Sequence, residues 1–361
     1  SRTTTAAQKN ALELAGNGGL LLNRGVWLAV ALAALVFTHL RFRFAHPNES
    51  GRGAGERADT ARADDSVLDR DAPVVVPRAA RTFGGWTRAR QTLAEAGWAF
   101  REIAFGWGGL VLGALSVVLV VFGPQAFAHM GVPRLPTTRF MTDFVGNTGE
   151  ILWTVVPLLT AFYAGELVWR DRETGLSEIA DAAPVPDWAR LAGRFLGLAG
   201  VLAAYQALLI VACILIQARL GYHEFEVGLY LRILLGLQLA EHLLFALLAL
   251  AVHVLVDQKY VGHLVLVAAY AFAAFAPTLG VEDNLLVYGA APGWEYSDLR
   301  GFGPSLAPWA WFKLYWGAWA LLLAVGAGLF WVRGRETGFA ARPRLARRRL
   351  AGPTLAAGAG A

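Results

Sequence analysis

Residues 151–216 read ILWTVVPLLTAFYAGELVW (151–169), RDRETGLSEIADAAPVPDWAR (170–190) and LAGRFLGLAGVLAAYQALLIVACILI (191–216). The first and third pieces are long and apolar enough for the ~20 residues that cross a ~30 Å hydrocarbon core, whereas the middle piece carries too many charges to lie in one. From Ile151 to Leu202 the chain is therefore expected to form two membrane helices joined by a compact polar connector in water. Such a connector is where a helix pair can be gripped from outside the bilayer.

The rest of the chain fits that frame. Of its 361 residues 56% are hydrophobic and 13 are Trp, which excludes an ordinary soluble domain and predicts an all-α, polytopic transmembrane bundle. Spans are expected at 103–123, 151–169, 195–216, 233–256, 261–279 and 311–332. A lone earlier span at 26–44, with Arg41 and Arg43 snorkelling at its end, brings the total to about seven. Residues 45–86, rich in Arg, Asp, Gly and Ala, read as a solvated linker, and 334–361 as a basic tail. No signal peptide with a charged start and small-residue cleavage site opens the chain, which is expected to begin within a longer protein.

Between linker and first full span, Leu93, Ala96, Phe100, Ile103 and Trp107 recur at three and four, opposite Arg88, Gln91, Glu95 and Glu102. This spacing predicts an amphipathic helix over 87–104 lying on the membrane face. Arginines crowd the connector (Arg170, Arg172, Arg190, Arg194) and the tail. Loops of the other parity are poorer in them, and 281–310 holds Glu282, Asp283, Glu295 and Asp298. The positive-inside bias then puts linker, connector, the Asp257–Lys259 turn and tail in the cytoplasm. It also explains the net charge of +5 without any nucleic-acid partner. Trp294, Tyr296, Phe302, Trp309 and Trp311 are expected to form an interfacial belt at the opposite side.

Small residues at Gly109 and Gly113, and at Gly193, Gly197 and Gly200, predict close helix packing within one bundle ahead of a dimer seam. Among intramembrane polar residues, Glu166 and Arg170 stand four apart and are expected to pair on one helix face. Gln238, His242 and His253 share a stripe, with Glu241 beside it and His263 just past the turn. Helix–helix hydrogen bonding, a substrate or proton path, and a metal site are the readings for them, in that order, since the stripe alone supplies too few converging ligands for metal. Cys213 has no possible disulfide partner.

Absent motifs narrow the function. None of Lys9, Lys259 and Lys313 sits in a Gly-Lys-Ser/Thr phosphate loop, and there is no His-Glu-x-x-His, no Gly-x-Ser-x-Gly and no paired cysteine. No enzymatic activity, cofactor or metal is expected of these residues.

The segment YAGELVWRDRETGLSEIADAAPVPDWARLAGRFLGL (163–198) resembles the signature of permeases of the ABC type-two exporter class: an acidic-basic cluster, a Gly-Leu turn, an Ala-Pro-Val-Pro step and a Gly-Arg-Phe-Leu helix start. More narrowly, GYHEFEVGLYL (221–231), DQKYVGHL (257–264) and YSDLRGFG (296–303) resemble bacterial chains in which two six-span halves precede an extracytoplasmic gluzincin aminopeptidase domain. The resemblance covers residues 20 to 350. It implies that 1–44 holds the last span of a preceding permease half and that 87–333 is a six-span half with an elbow helix at 87–104. A coupling helix within 171–188 would dock on a separate ABC ATPase, with Glu173, Gly175, Glu178, Pro184 and Pro186 as its motif residues. Further partners implied are the lipid bilayer of a bacterial inner membrane and a second permease half, from the same parent chain or a second copy. Any peptidase would lie outside these residues. Two rival expectations are a membrane anchor for that aminopeptidase, with the connector a relic, and an ion-driven secondary transporter using Glu241 and the histidines. The absence of clearly paired, broken helices counts against the second.

Overall fold

In the computed structural model of the chain, residues 84–129, 135–145 and 150–332 are described, together with scattered positions between 25 and 36 and between 346 and 349. Contacts divide the chain into two compact units, 1–79 and 80–361. In the first unit only Gly25, Val26, Leu28, Ala29, Leu32 and Val36 are described; all are helical and exposed. The remainder of the expected 26–44 span, the linker to residue 83, and the tail apart from Ala346, Arg347 and Arg349 lie outside the described residues.

The second unit is a helical bundle, and no strand occurs among its described residues. Its helices are α1 (Gly85–Ala104), α2 (Trp107–His129), α3 (Thr138–Asp143), α4 (Glu150–Glu173), α5 (Ser177–Ala182), α6 (Asp187–Arg219), α7 (Val227–Val256), α8 (Lys259–Phe275) and α9 (Leu306–Phe330). Of the described helices, α6, α7 and α9 are long and apolar enough to cross a membrane, and α1 with α2, bent by 55° between them, would add a fourth as one broken span. That is fewer than the expected seven. Helix α8 has 17 residues rather than the 19 expected, because the chain tightens at Pro277–Leu279 into a 3₁₀ turn. Helix α4 occupies the expected place but contains Pro157 and ends in a charged turn.

Helix α6 is the axis. At 33 residues it is about 50 Å long. Its first half packs on α1 through small residues: a Cβ added at Gly193 would meet the Glu95 side chain and the Thr92 carbonyl, and one at Gly197 would meet Ala99 and the Ala96 carbonyl. These glycines let two backbones approach within one bundle. Gly113, by contrast, faces open space, so Gly109 and Gly113 make no such seam. The far end of α6 is pinned by Gln217, which donates to the Pro136 carbonyl (2.7 Å) and accepts from the Tyr230 hydroxyl (2.8 Å).

Of the expected apolar stripe, Ala96, Phe100 and Ile103 lie toward α6 or the core. The buried face of α1 is Thr92, Ala99 and Ile103, with Glu95 on the same side, while Leu93 and Trp107 are 62% and 82% exposed. Contact with α6 selects the side lined by small residues over the side richest in large apolar ones. Helix α7 carries a π segment at Leu231–Gln238 before resuming α geometry, a local irregularity of the kind that clusters at functional sites. The core runs between α4, α6 and α7, with Leu167, Leu198, Cys213, Ile216, Leu234 and Leu250 fully or almost fully buried.

Candidate functional site

Helix α4 ends at Glu173, and Gly175 turns the chain with φ +72°, a conformation open to glycine at little cost. Helix α5 follows, with Glu178 in its first turn and no buried residue. Exposed Pro184 and half-buried Pro186 make an extended step, Pro186 standing immediately before α6. Within the 171–188 connector, Ser177–Ala182 is the helical stretch between the two long helices. Glu178 suits the positive end of that helix. Glu173 does not serve a helix start. It closes α4, where the dipole opposes a carboxylate, and is offset by Lys259 at 2.8 Å.

Around the connector a set of ion pairs ties the helix ends together. Arg194, almost fully buried, donates to Glu95 of α1 (2.9 Å) and to Asp171 of α4 (2.6 Å), and lies over the Trp331 ring at 5.2 Å. Arg190 holds Asp181 of α5 (2.6 Å) and the Ala180 carbonyl. Arg172 joins α4 to Asp257 after α7 (2.7 Å). Arg349 reaches Asp187 at 3.1 Å and carbonyls at the end of α9. A small space of about 20 Å³, room for about one water, lies among Asp171, Arg172, Asp181, Arg194 and Asp257.

The expected Glu166–Arg170 pair is not made. Glu166 pairs with Lys259 of α8 (2.6 Å) and Arg170 with Glu102 of α1. A partner on another helix replaces the one four residues along, because the bundle brings those charges to the same level. Lys259 thereby clasps two carboxylates of α4 at once.

The histidines divide into separate places. His253 is fully buried, its Nε2 3.3 Å from the Ala161 carbonyl and its ring 4.6 Å from that of His263, which stacks on Phe162. Gly165 and Gly262 form the slot: a Cβ at either would strike the His253 ring. His242, three turns earlier on α7 and about 16 Å away, instead lines an apolar chamber between α7, α8 and the 287–291 segment. Glu241 pairs with Lys313 of α9 at 3.3 Å. Gln238 meets Gln206 at 3.5 Å. The stripe thus joins no common site. Among the described residues no three His, Cys, Asp or Glu side chains converge as a metal site requires.

Reasoning from sequence missed Lys313, Arg190, Arg194 and Gln206. Lys313 carried a signal, since it is one of three lysines in an arginine-rich chain and sits in an apolar run. Helix geometry alone could not assign partners to the others.

No protein-family model, curated protein or solved structure matches the chain. The class defined by its fold is a helical bundle compatible with a membrane, with a braced polar connector at one end.

Proposed function

We propose that this chain is the permease part of an ABC transporter, receiving motion at the 170–190 connector from a separate ATPase. The observation that carries the reading is the connector's form. Helix α5 buries nothing, and around it Leu176, Ile179 and Trp188 stand 53%, 73% and 53% exposed beside acidic Glu173 and Glu178. Exposed apolar side chains with a charged rim, at the water-facing end of a bundle, suit a partner protein.

The same knob is tied into the helices. A push on α5 reaches α6 through Asp181–Arg190, and α1 and α4 through Arg194. A nucleotide-driven shift in an ATPase would then move several helix ends together. Solute must bind the two resulting states unequally for hydrolysis to move it, and by reciprocity solute would alter ATPase engagement.

The test is purification of the full-length parent protein from its native membrane, with 171–188 intact or scrambled. An ATPase that co-purifies only with the intact segment is expected. If none appears with either, the permease reading fails and a membrane anchor for an extracytoplasmic domain takes its place.

A further inference from the structure

At the end of the bundle away from the connector, two chambers meet at the Glu241–Lys313 ion pair. The larger, about 510 Å³, lies between α3, α7 and the 291–296 loop. The smaller, about 310 Å³, lies between α7, α8 and the 287–291 segment. Glu241 and Ala291 border both. Each chamber falls within the 300–1,000 Å³ typical of ligand sites.

Their linings differ. The larger holds the carboxylates of Asp143, Glu241 and Glu295 against one guanidinium, Arg139, and adds the rings of Trp294, Tyr296 and Trp309. Trp294 and Tyr296 are held edge-on by Phe302, with centroids 5.9 and 5.1 Å away. Trp309 already receives a cation, the Lys313 ammonium, 5.7 Å from its ring centre. Burial raises the Asp143 carboxyl above its ordinary range while Arg139 opposes the rise, so an added cation there would find a group whose charge it stabilises. The smaller chamber is lined mainly by apolar side chains, among them Leu244, Phe245, Ala273 and Val287.

We infer that the paired chambers bind an amphipathic organic cation, its ammonium head among the carboxylates and aromatic rings of the larger and its hydrocarbon chain in the smaller. With Glu241 paired to Lys313 and Arg139 offsetting one more carboxylate, one net negative charge selects the sign of the head, aromatic faces favour a weakly hydrated ammonium over a metal ion, and the adjoining apolar space takes the tail. Lys313 does not repel such a head, because its ammonium is engaged by Glu241 and by the Gly289 carbonyl at 2.6 Å. The inference is independent of the transport reading, since a binding site of this kind serves a permease and an anchor alike.

The experiment uses the chain in lipid nanodiscs and a decyltrimethylammonium probe with a diazirine at the chain end. After irradiation, the labelled peptides are mapped. Label is expected on 241–249 and 270–274, displaced by excess unlabelled decyltrimethylammonium but not by decyl sulfate. Asp143→Asn with Glu295→Gln, which keep side-chain size and remove two carboxylate charges, should weaken that displacement about tenfold. Ala273→Trp should remove the label by filling the smaller chamber. Label spread over the outward faces of α2, α8 and α9 and insensitive to competitor would mean partition into lipid only. Equal displacement by the sulfate would mean an apolar cavity without charge selection. Either result overturns the inference.

Discussion

Arg194 illustrates what single residues contribute here. Its guanidinium is almost wholly enclosed and bridges carboxylates from two other helices, so its charge is compensated only in the assembled bundle. Arg194→Met would leave Glu95 and Asp171 facing each other without a cation. A loss of about 3 kcal/mol is expected, the low end for a broken buried pair because both carboxylates keep partial contact with water. Thermal unfolding in detergent measures it, and Arg194→Lys should recover only part, since one ammonium lacks the planar fork that reaches two partners. At Gly262 the argument is steric. Gly262→Ala drives a methyl into the His253 ring and should cost about 1–3 kcal/mol, partly regained when combined with His253→Ala. Partners at this scale were the least legible in the sequence. The four-residue spacing of Glu166 and Arg170 states that they can meet, but Lys259 and Glu102, distant in the chain, arrive at the same level and compete successfully. Lys313 was visible in the sequence as a charge in an apolar run, yet its pairing with Glu241 depends on the crossing of α7 and α9.

Helices themselves were far more legible. The apolar runs at 195–216 and 233–256 fall inside α6 and α7, and the polar connector falls between two long helices as its charges require. What periodicity could not supply was the rotation of α1. A spacing of three and four marks Leu93 and Trp107 as one stripe, whereas the glycines of α6 accept the smaller Thr92, Ala99 and Ile103 side. Likewise Pro184 and Pro186 signalled a stop, but not that α5 would last only six residues. A prediction belongs to this short helix. Glu178→Lys with Ile179→Asp reverses a charge and removes the most exposed apolar side chain of the connector, in a helix with no buried residue of its own. ATPase co-purification should fall at least about tenfold, as expected for loss of a central interface contact. Membrane insertion and melting temperature should stay unchanged. Retained association would place the partner's grip elsewhere.

Across the whole molecule, helix direction sets which surfaces share a side. Helix α8 starts beside Glu173, α9 returns to Trp331 beside Arg194, and the 281–302 segment between them therefore lies at the end opposite α5. If the bundle crosses a bilayer, Ile179 and Glu295 emerge on opposite faces. A cysteine placed at Ile179 and one placed at Glu295 should then react with an impermeant maleimide from opposite sides of sealed vesicles; reaction of both from one side would overturn the crossing. This arrangement also bears on the lone thiol. Cys213 is the chain's single cysteine and is fully enclosed in the core. The native sequence is thus a silent background for thiol chemistry. Spin labels, fluorophores or cross-linkers can be introduced one position at a time without first stripping the protein of reactive sites, and any labelling of the unaltered chain becomes a direct reading of how often its core opens.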